Sequence, residues 1–93
     1  MINFKNHIHD FFDIANKNDM PWDIGIDMFI ANVRNANDPK LPYYEGADKV
    51  DYKALKPELE KMSNQEIADE YNEVVKYIRA NLKKIGEERK ARK

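Results

Sequence analysis

Few side chains in this sequence are spaced for chemistry, and His7, His9, Asp10 and Asp13 come nearest. A protein metal site needs several such donors converging on one ion. On a helix, residues two apart point about 200° from each other, so His7 and His9 cannot grip the same ion. His9 and Asp13, one turn apart, offer two ligands with Asp10 beside them, and no third partner is evident. The simpler reading is polar residues bordering a phenylalanine face. Cysteine is absent, which removes thiolate metal sites, disulfides and a cysteine nucleophile. The single serine, Ser63, is committed as a helix cap. There is no G-x-G-x-x-G, no phosphate loop and no G-x-S-x-G. No pair of carboxylates stands in an apolar setting that would raise a pKa for acid work. The expectation is a protein that is not an enzyme, with no metal and no cofactor. A catalytic role would need an oligomer gathering His9, Asp10 and Asp13 from several chains.

Binding surfaces are easier to find than reaction centres. Asp19, Asp23 and Asp27 recur every four residues and share one side of a helix, where they suit a basic partner or simply favour the helix N-terminus. Trp22 stands beside Pro21, and Tyr43 and Tyr44 lie between Pro42 and Gly46. Tyrosine and tryptophan dominate binding hot spots because they bury area at little cost in entropy. Trp22, Asp23, Asp27, Tyr43 and Tyr44 are therefore the candidate partner-binding set. A second set is basic: Lys83, Lys84, Arg89, Lys90, Arg92 and Lys93. Lysine and arginine are what phosphate contacts require, but no groove-reading helix, RNA-binding aromatic pair or zinc knuckle accompanies them.

Composition sets the frame. Ninety-three residues make one domain with one core. The chain is 42% hydrophobic and 35% charged, too apolar for a disordered protein. The net charge of −1 hides an asymmetry: residues 1–51 carry nine acids and five bases, residues 52–93 eight acids and eleven bases. No apolar run is long enough for a membrane span, and the polar N-terminus does not read as a signal peptide. A cytoplasmic location with no membrane partner is expected. The abundance of Asn, Lys and Ile hints at an AT-rich genome, which makes a phage or mobile-element origin a reasonable expectation.

The elements that position these residues are helical. The strongest signal runs from Ser63 to Gly86. Ser63 and Glu66 form a capping box, and Ile67, Tyr71, Val74, Ile78, Leu82 and Ile85 follow the 3.6-residue period. Gly86 reads as the C-cap, giving one helix of roughly 22 residues, about 33 Å long. A first helix spans about Asn3–Asn16, with Phe4, Ile8, Phe11, Phe12 and Ala15 on one face. A second starts near Asp19–Trp22, with Asp19 as N-cap and Trp22, Ile26, Phe29, Ile30 and Val33 inward. Gly25 inside it suggests close approach of a bulky aromatic. Residues 35–52 form a long irregular loop, the kind that often binds something, with a strand at Leu41–Tyr44 lacking any obvious partner. Asp51 or Asp48 caps a short helix to Leu55, and Pro57 begins another turn.

The expected architecture is all-α: a bundle of three main helices plus one or two short ones, a single domain over residues 1–86, and a flexible basic tail over 87–93. The functional expectation is a small interaction protein (inhibitor, adaptor or accessory factor) that docks on a protein partner. The alternative is an RNA- or DNA-binding accessory protein using the basic end. Homodimerisation is expected if Ile24 and Met28 are exposed, because a helix apolar on two sides wants two partners.

Overall fold

Every sequence signal of period 3.6 becomes a helix in the computed structural model, which describes residues 1–92. A 3-10 turn, Phe4–His7, leads into α1 (Ile8–Lys17), followed by α2 (Trp22–Arg34), α3 (Tyr52–Glu60), α4 (Asn64–Ala80) and α5 (Leu82–Ala91). There is no strand among the described residues, and residues 41–44 are irregular. The fold is all-α, a small helical bundle. The core is built from Phe4, Phe11, Ile14, Ile26, Phe29, Val33, Val74 and Ile78, each nearly or wholly inaccessible to water. Burying a phenylalanine or isoleucine stabilises by roughly 1.5–3 kcal/mol each.

Helices α1 and α2 pack closest, and Gly25 is the reason. A Cβ there would sit 2.1 Å from the Phe11 carbonyl oxygen and 3.0 Å from the Ala15 Cβ. The neighbour that requires glycine is thus the backbone of α1, not an aromatic ring. The connection between the two helices is also set locally. Asp19 adopts φ 55°, Met20 N–H donates to the Ala15 carbonyl at 2.8 Å, and Asp19 N–H to the Asn16 carbonyl at 3.3 Å. That pairing is a Schellman close of α1, with aspartate in the left-handed position that Asp and Asn tolerate. Asp19 therefore ends α1, and Pro21 is the N-cap residue of α2.

The expected single helix over 63–86 is two. Its capping box at Ser63 and Glu66 is present with both bonds. It stops at Asn81, whose side-chain amide donates to the Tyr77 carbonyl at 2.8 Å and offers the backbone an alternative to continuing helix. Beyond this break Ile85 is buried in the core and Arg89 reaches α1. Arg89 donates to the His9 carbonyl at 3.1 Å and to Asp13 Oδ1 at 2.5 Å, with its guanidinium 5.3 Å from the Phe12 ring centre. Gly86 consequently lies mid-helix, not at a cap, with open space where its Cβ would be. Residues 87–91, read from sequence as a flexible tail, are the end of α5, and Lys93 lies outside the described residues.

Two smaller elements follow their local chemistry. Asp51 caps α3, accepting from Ala54 N–H at 3.1 Å. Pro57 sits inside α3 rather than starting a new turn, so one intrahelical bond is missing, the one to exposed Lys53.

The two helical glycines make opposite predictions. Gly25→Ala should lower stability by about 2–3 kcal/mol, because overpacking against a backbone carbonyl exceeds the gain in helix propensity of ~1 kcal/mol. Gly86→Ala should raise stability by up to about 1 kcal/mol. Urea unfolding of both variants checks this, and a stabilised Gly25→Ala would refute the close approach of α1 and α2.

Candidate functional site

The long loop between α2 and α3 is held almost bend by bend, and its principal anchor is Asn32. This residue is 1% exposed on the inward side of α2. Its Nδ2 donates to the Tyr44 carbonyl at 2.8 Å, and its Oδ1 accepts from Tyr44 N–H at 2.8 Å. The side-chain amide thus satisfies both backbone groups of one loop residue, as a neighbouring strand would. Further along, Asn18 Nδ2 donates to the Glu45 carbonyl at 3.1 Å. Gly46 has φ 130° and lies so close to α1 that a Cβ would meet the Asp13 carbonyl oxygen at 2.6 Å and Ile14 Cα at 2.7 Å. Lys56 Nζ donates to the Arg34 carbonyl at 2.8 Å, tying α3 to the end of α2.

A ladder of edge-to-face rings connects this loop to the core. Phe4 and Phe11 have ring centres 6.3 Å apart, Phe11 and Phe29 5.1 Å, Phe29 and Tyr52 5.5 Å, and Tyr52 and Tyr43 5.9 Å. Each such pair adds about 0.5–1.5 kcal/mol beyond its buried area. The ladder begins in the core and ends at Tyr43, which is 51% exposed. The Tyr52 hydroxyl donates to the Ala47 carbonyl at 3.0 Å, and the Tyr43 hydroxyl donates to Asp48 Oδ1 at 2.5 Å. Burial, and after it the Asp48 hydrogen bond and charge, hold the Tyr43 phenol far above the ordinary range. Burial also raises the phenols of Tyr52 and Tyr71.

Tyr43 and Leu41, the latter 45% exposed, border an open groove of about 550 Å³ between the loop and the start of α3. Pro39, Pro42, Val50 and Tyr52 give it apolar walls, and Asn35, Asp38 and Asp51 supply polar ones. Its size falls within the usual range for ligand-holding clefts. Leu41 was not singled out by the sequence reading; its place between Lys40 and Pro42 in an irregular stretch was the available signal.

The five residues expected to form one partner surface are spread over two sides of α2. Tyr44 is bound to Asn32, whereas Asp23 and Asp27 precede Asn32 by nine and five positions and so point about 140–180° away from it. Trp22 lies nearly three turns, about 15 Å, along the helix from Asn32. It is half-buried and stacks on Phe12, with centres 6.2 Å apart and planes 19° off parallel. Asp27 is exposed and belongs to a different groove, of about 430 Å³, between α2 and α4. Partial burial, and after it the Asp23 charge, raises the Asp27 carboxyl above the usual range. Tyr43 is on the surface, and Tyr44 is half-buried with its backbone committed.

The basic set is divided too. Arg89 is engaged with α1 as described, while Lys83, Lys84, Lys90 and Arg92 are exposed, with the acids Glu87 and Glu88 between them on the same helix. Met28 is buried, so of the pair proposed for self-association only Ile24 reaches the surface, at 36% exposed. His7 Nδ1 pairs with Asp10 at 3.0 Å, and His9 faces Glu88 at 3.7 Å and the Arg89 guanidinium. Among the described residues no three His, Asp or Glu side chains are grouped to hold a metal ion. No described helix is long and apolar enough to cross a membrane. Comparison with protein-family models, with curated proteins and with solved structures finds no match to this chain.

Asn32→Ala should cost about 2–3 kcal/mol, because the Tyr44 N–H and carbonyl lose their partners. Hydrogen exchange at the Tyr44 amide should then approach the unprotected rate while core amides of α2 follow global unfolding; a Tyr44 amide that stays protected would refute the anchor. The phenols predict a pH dependence of definite sign. Their folded pKa values lie above the unfolded value near 10, so the stability they contribute is complete below about pH 10 and is lost as pH rises toward the folded values. Denaturant unfolding should weaken across that alkaline range. Asp48→Asn should lower the Tyr43 pKa in a phenolate absorbance titration.

Proposed function

We propose that this chain is a small non-enzymatic interaction protein that docks on a protein partner through the rim formed by Leu41, Pro42 and Tyr43 and the groove beside it. The observation that carries this reading is the pairing of exposed apolar side chains with a fixed backbone. Leu41 and Tyr43 face solvent, yet the chain that bears them is pinned by buried Asn32 and by the ring ladder. A loop ordered before binding loses little further entropy on docking, which converts modest contact area into affinity. An exposed tyrosine beside a proline and a leucine is the composition of an anchor residue with apolar neighbours. The groove offers hydrogen-bonding groups at its edges, which suits a peptide segment of a partner. On this reading the protein acts as an inhibitor, adaptor or accessory factor by occupying a surface, and Trp22, Asp23 and Asp27 belong to a separate contact region.

The exposed lysines of α5 favour one further reading, a nucleic-acid backbone held by Lys83, Lys84, Lys90 and Arg92. Arg89 is excluded from that set by its engagement with Asp13. Reversing Lys83 and Lys90 to glutamate tests it better than truncation, because truncation would remove the Arg89 anchor. Binding of a labelled oligonucleotide that weakens with salt and with that reversal would favour it over the loop.

A photo-crosslinking side chain at position 41 tests the main reading against the same group at Glu60, an exposed residue of α3. Position 41 should yield one discrete crosslinked partner, and Tyr43→Ala should reduce that product at least tenfold while lowering stability by only about 1–2 kcal/mol, so that the chain stays folded. Equal crosslinking from position 60, or a Tyr43→Ala variant that captures as well as the parent, would overturn the proposal.

A further inference from the structure

We propose that the groove between α2 and α4 receives α2 of a second copy of this chain, in a two-fold pairing that sets Asp27 of each copy against Arg34 of the other. Ile30, Ile67, Ala68 and Tyr71 line the groove with apolar surface, Asn64 and Asn72 of α4 add polar groups, and Asp27 and Arg34 of α2 supply its charges. Asp27, Ile30, Ala31 and Arg34 are spaced i, i+3, i+4 and i+7, so they form a single seam along α2. The seam lies on the outer side of α2: Asp27 and Arg34 are exposed and Ala31 half-buried, Ile30 is half-buried with one edge packed against the core, and Phe29, Asn32 and Val33 are buried.

Charge selects the occupant. Asp27 and Arg34 stand seven residues, about 10 Å, apart along the helix. Among the described residues neither side chain makes a hydrogen bond or an ion pair. A two-fold axis through the middle of the seam reverses the second helix, so position 27 meets position 34 twice and Ile30 meets Ala31 twice. The interface is self-complementary, as an isologous contact must be. A purely basic helix would satisfy Asp23 and Asp27 but oppose Arg34. An identical helix in the parallel direction would face Asp27 with Asp27. The antiparallel copy alone gives both ends an opposite charge around an apolar centre. The partial burial that already disfavours the Asp27 carboxylate points the same way, since an approaching guanidinium would relieve it. The seam is on the other side of α2 from Asn32, so the loop rim stays free in the pair.

Sedimentation and light scattering across micromolar to millimolar protein test this. The parent chain should rise with concentration from a mass of 11.0 kDa toward twice that value. Asp27→Arg alone and Arg34→Asp alone should each remain monomeric, since each sets like charges together at both ends. An equimolar mixture of those two variants should regain the doubled mass, because every reversed charge then meets its opposite, and regain also proves both are folded. Neutral Asp27→Asn with Arg34→Gln should weaken association, and Tyr43→Ala should leave it unchanged. A parent monomeric throughout, single reversals that still pair, or a mixture that stays monomeric would each overturn the proposal.

Discussion

The approach of α1 to α2 at Gly25 is the constraint on which the rest of the molecule depends. With hydrogen in place of a side chain, the Phe11 carbonyl comes within a distance that a methyl group would forbid. That closeness seats Phe11 against Phe29 and leaves both without solvent exposure. Interiors pack as densely as organic crystals, so a methyl-sized spacer here would open the whole aromatic array. A second glycine, Gly46, lets the loop lie against the same helix. Two positions lacking a Cβ thus bring two segments of chain, α2 and the loop, onto α1.

From that pair of helices order spreads outward through polar contacts as well as rings. An irregular segment cannot bury its backbone unless its N–H and carbonyl groups find partners. Asn32 supplies two of them from a side chain that presents one donor and one acceptor in the same plane. The ring ladder then transmits the fixed position of the core to Tyr43. A long loop would ordinarily be the most mobile part of a domain this small. Here its exposed side chains are carried on a backbone fixed at several points, and that is why a docking role suits it.

The charge asymmetry between the halves of the sequence finds a structural use at one point. Arg89, from the basic end, returns to Asp13 and Phe12 in the acidic half. Its guanidinium makes two hydrogen bonds and covers an aromatic face, a combination lysine cannot reproduce. The break at Asn81, where the backbone leaves the helical region at φ −126° and ψ 20°, separates α4 from the helix that carries Arg89 to α1. Of the other charges of α5, Glu88 faces His9 at 3.7 Å and the lysines remain in solvent.

Local chemistry was legible in the sequence wherever it acts over a few residues. The capping box at Ser63, an aspartate cap for α3 at Asp51 or Asp48, the apolar faces of α1 and α2 and the all-α class all follow from hydrogen bonds and periodicities within one turn or two. The exposure of Tyr43, the commitment of Tyr44 and the separation of the acidic face from the loop did not follow. Asn32 looks like any polar residue in a helix until Tyr44 lies beside it, and Arg89 looks like one base in a charged run until Asp13 lies beside it. Ser63 and Glu66 find each other across three residues, whereas Arg89 and Asp13 meet across seventy-six. Sequence determined the helices because their bonds are local; tertiary structure decided which polar groups are buried, which are paired and which face outward, because those outcomes depend on neighbours that only packing supplies.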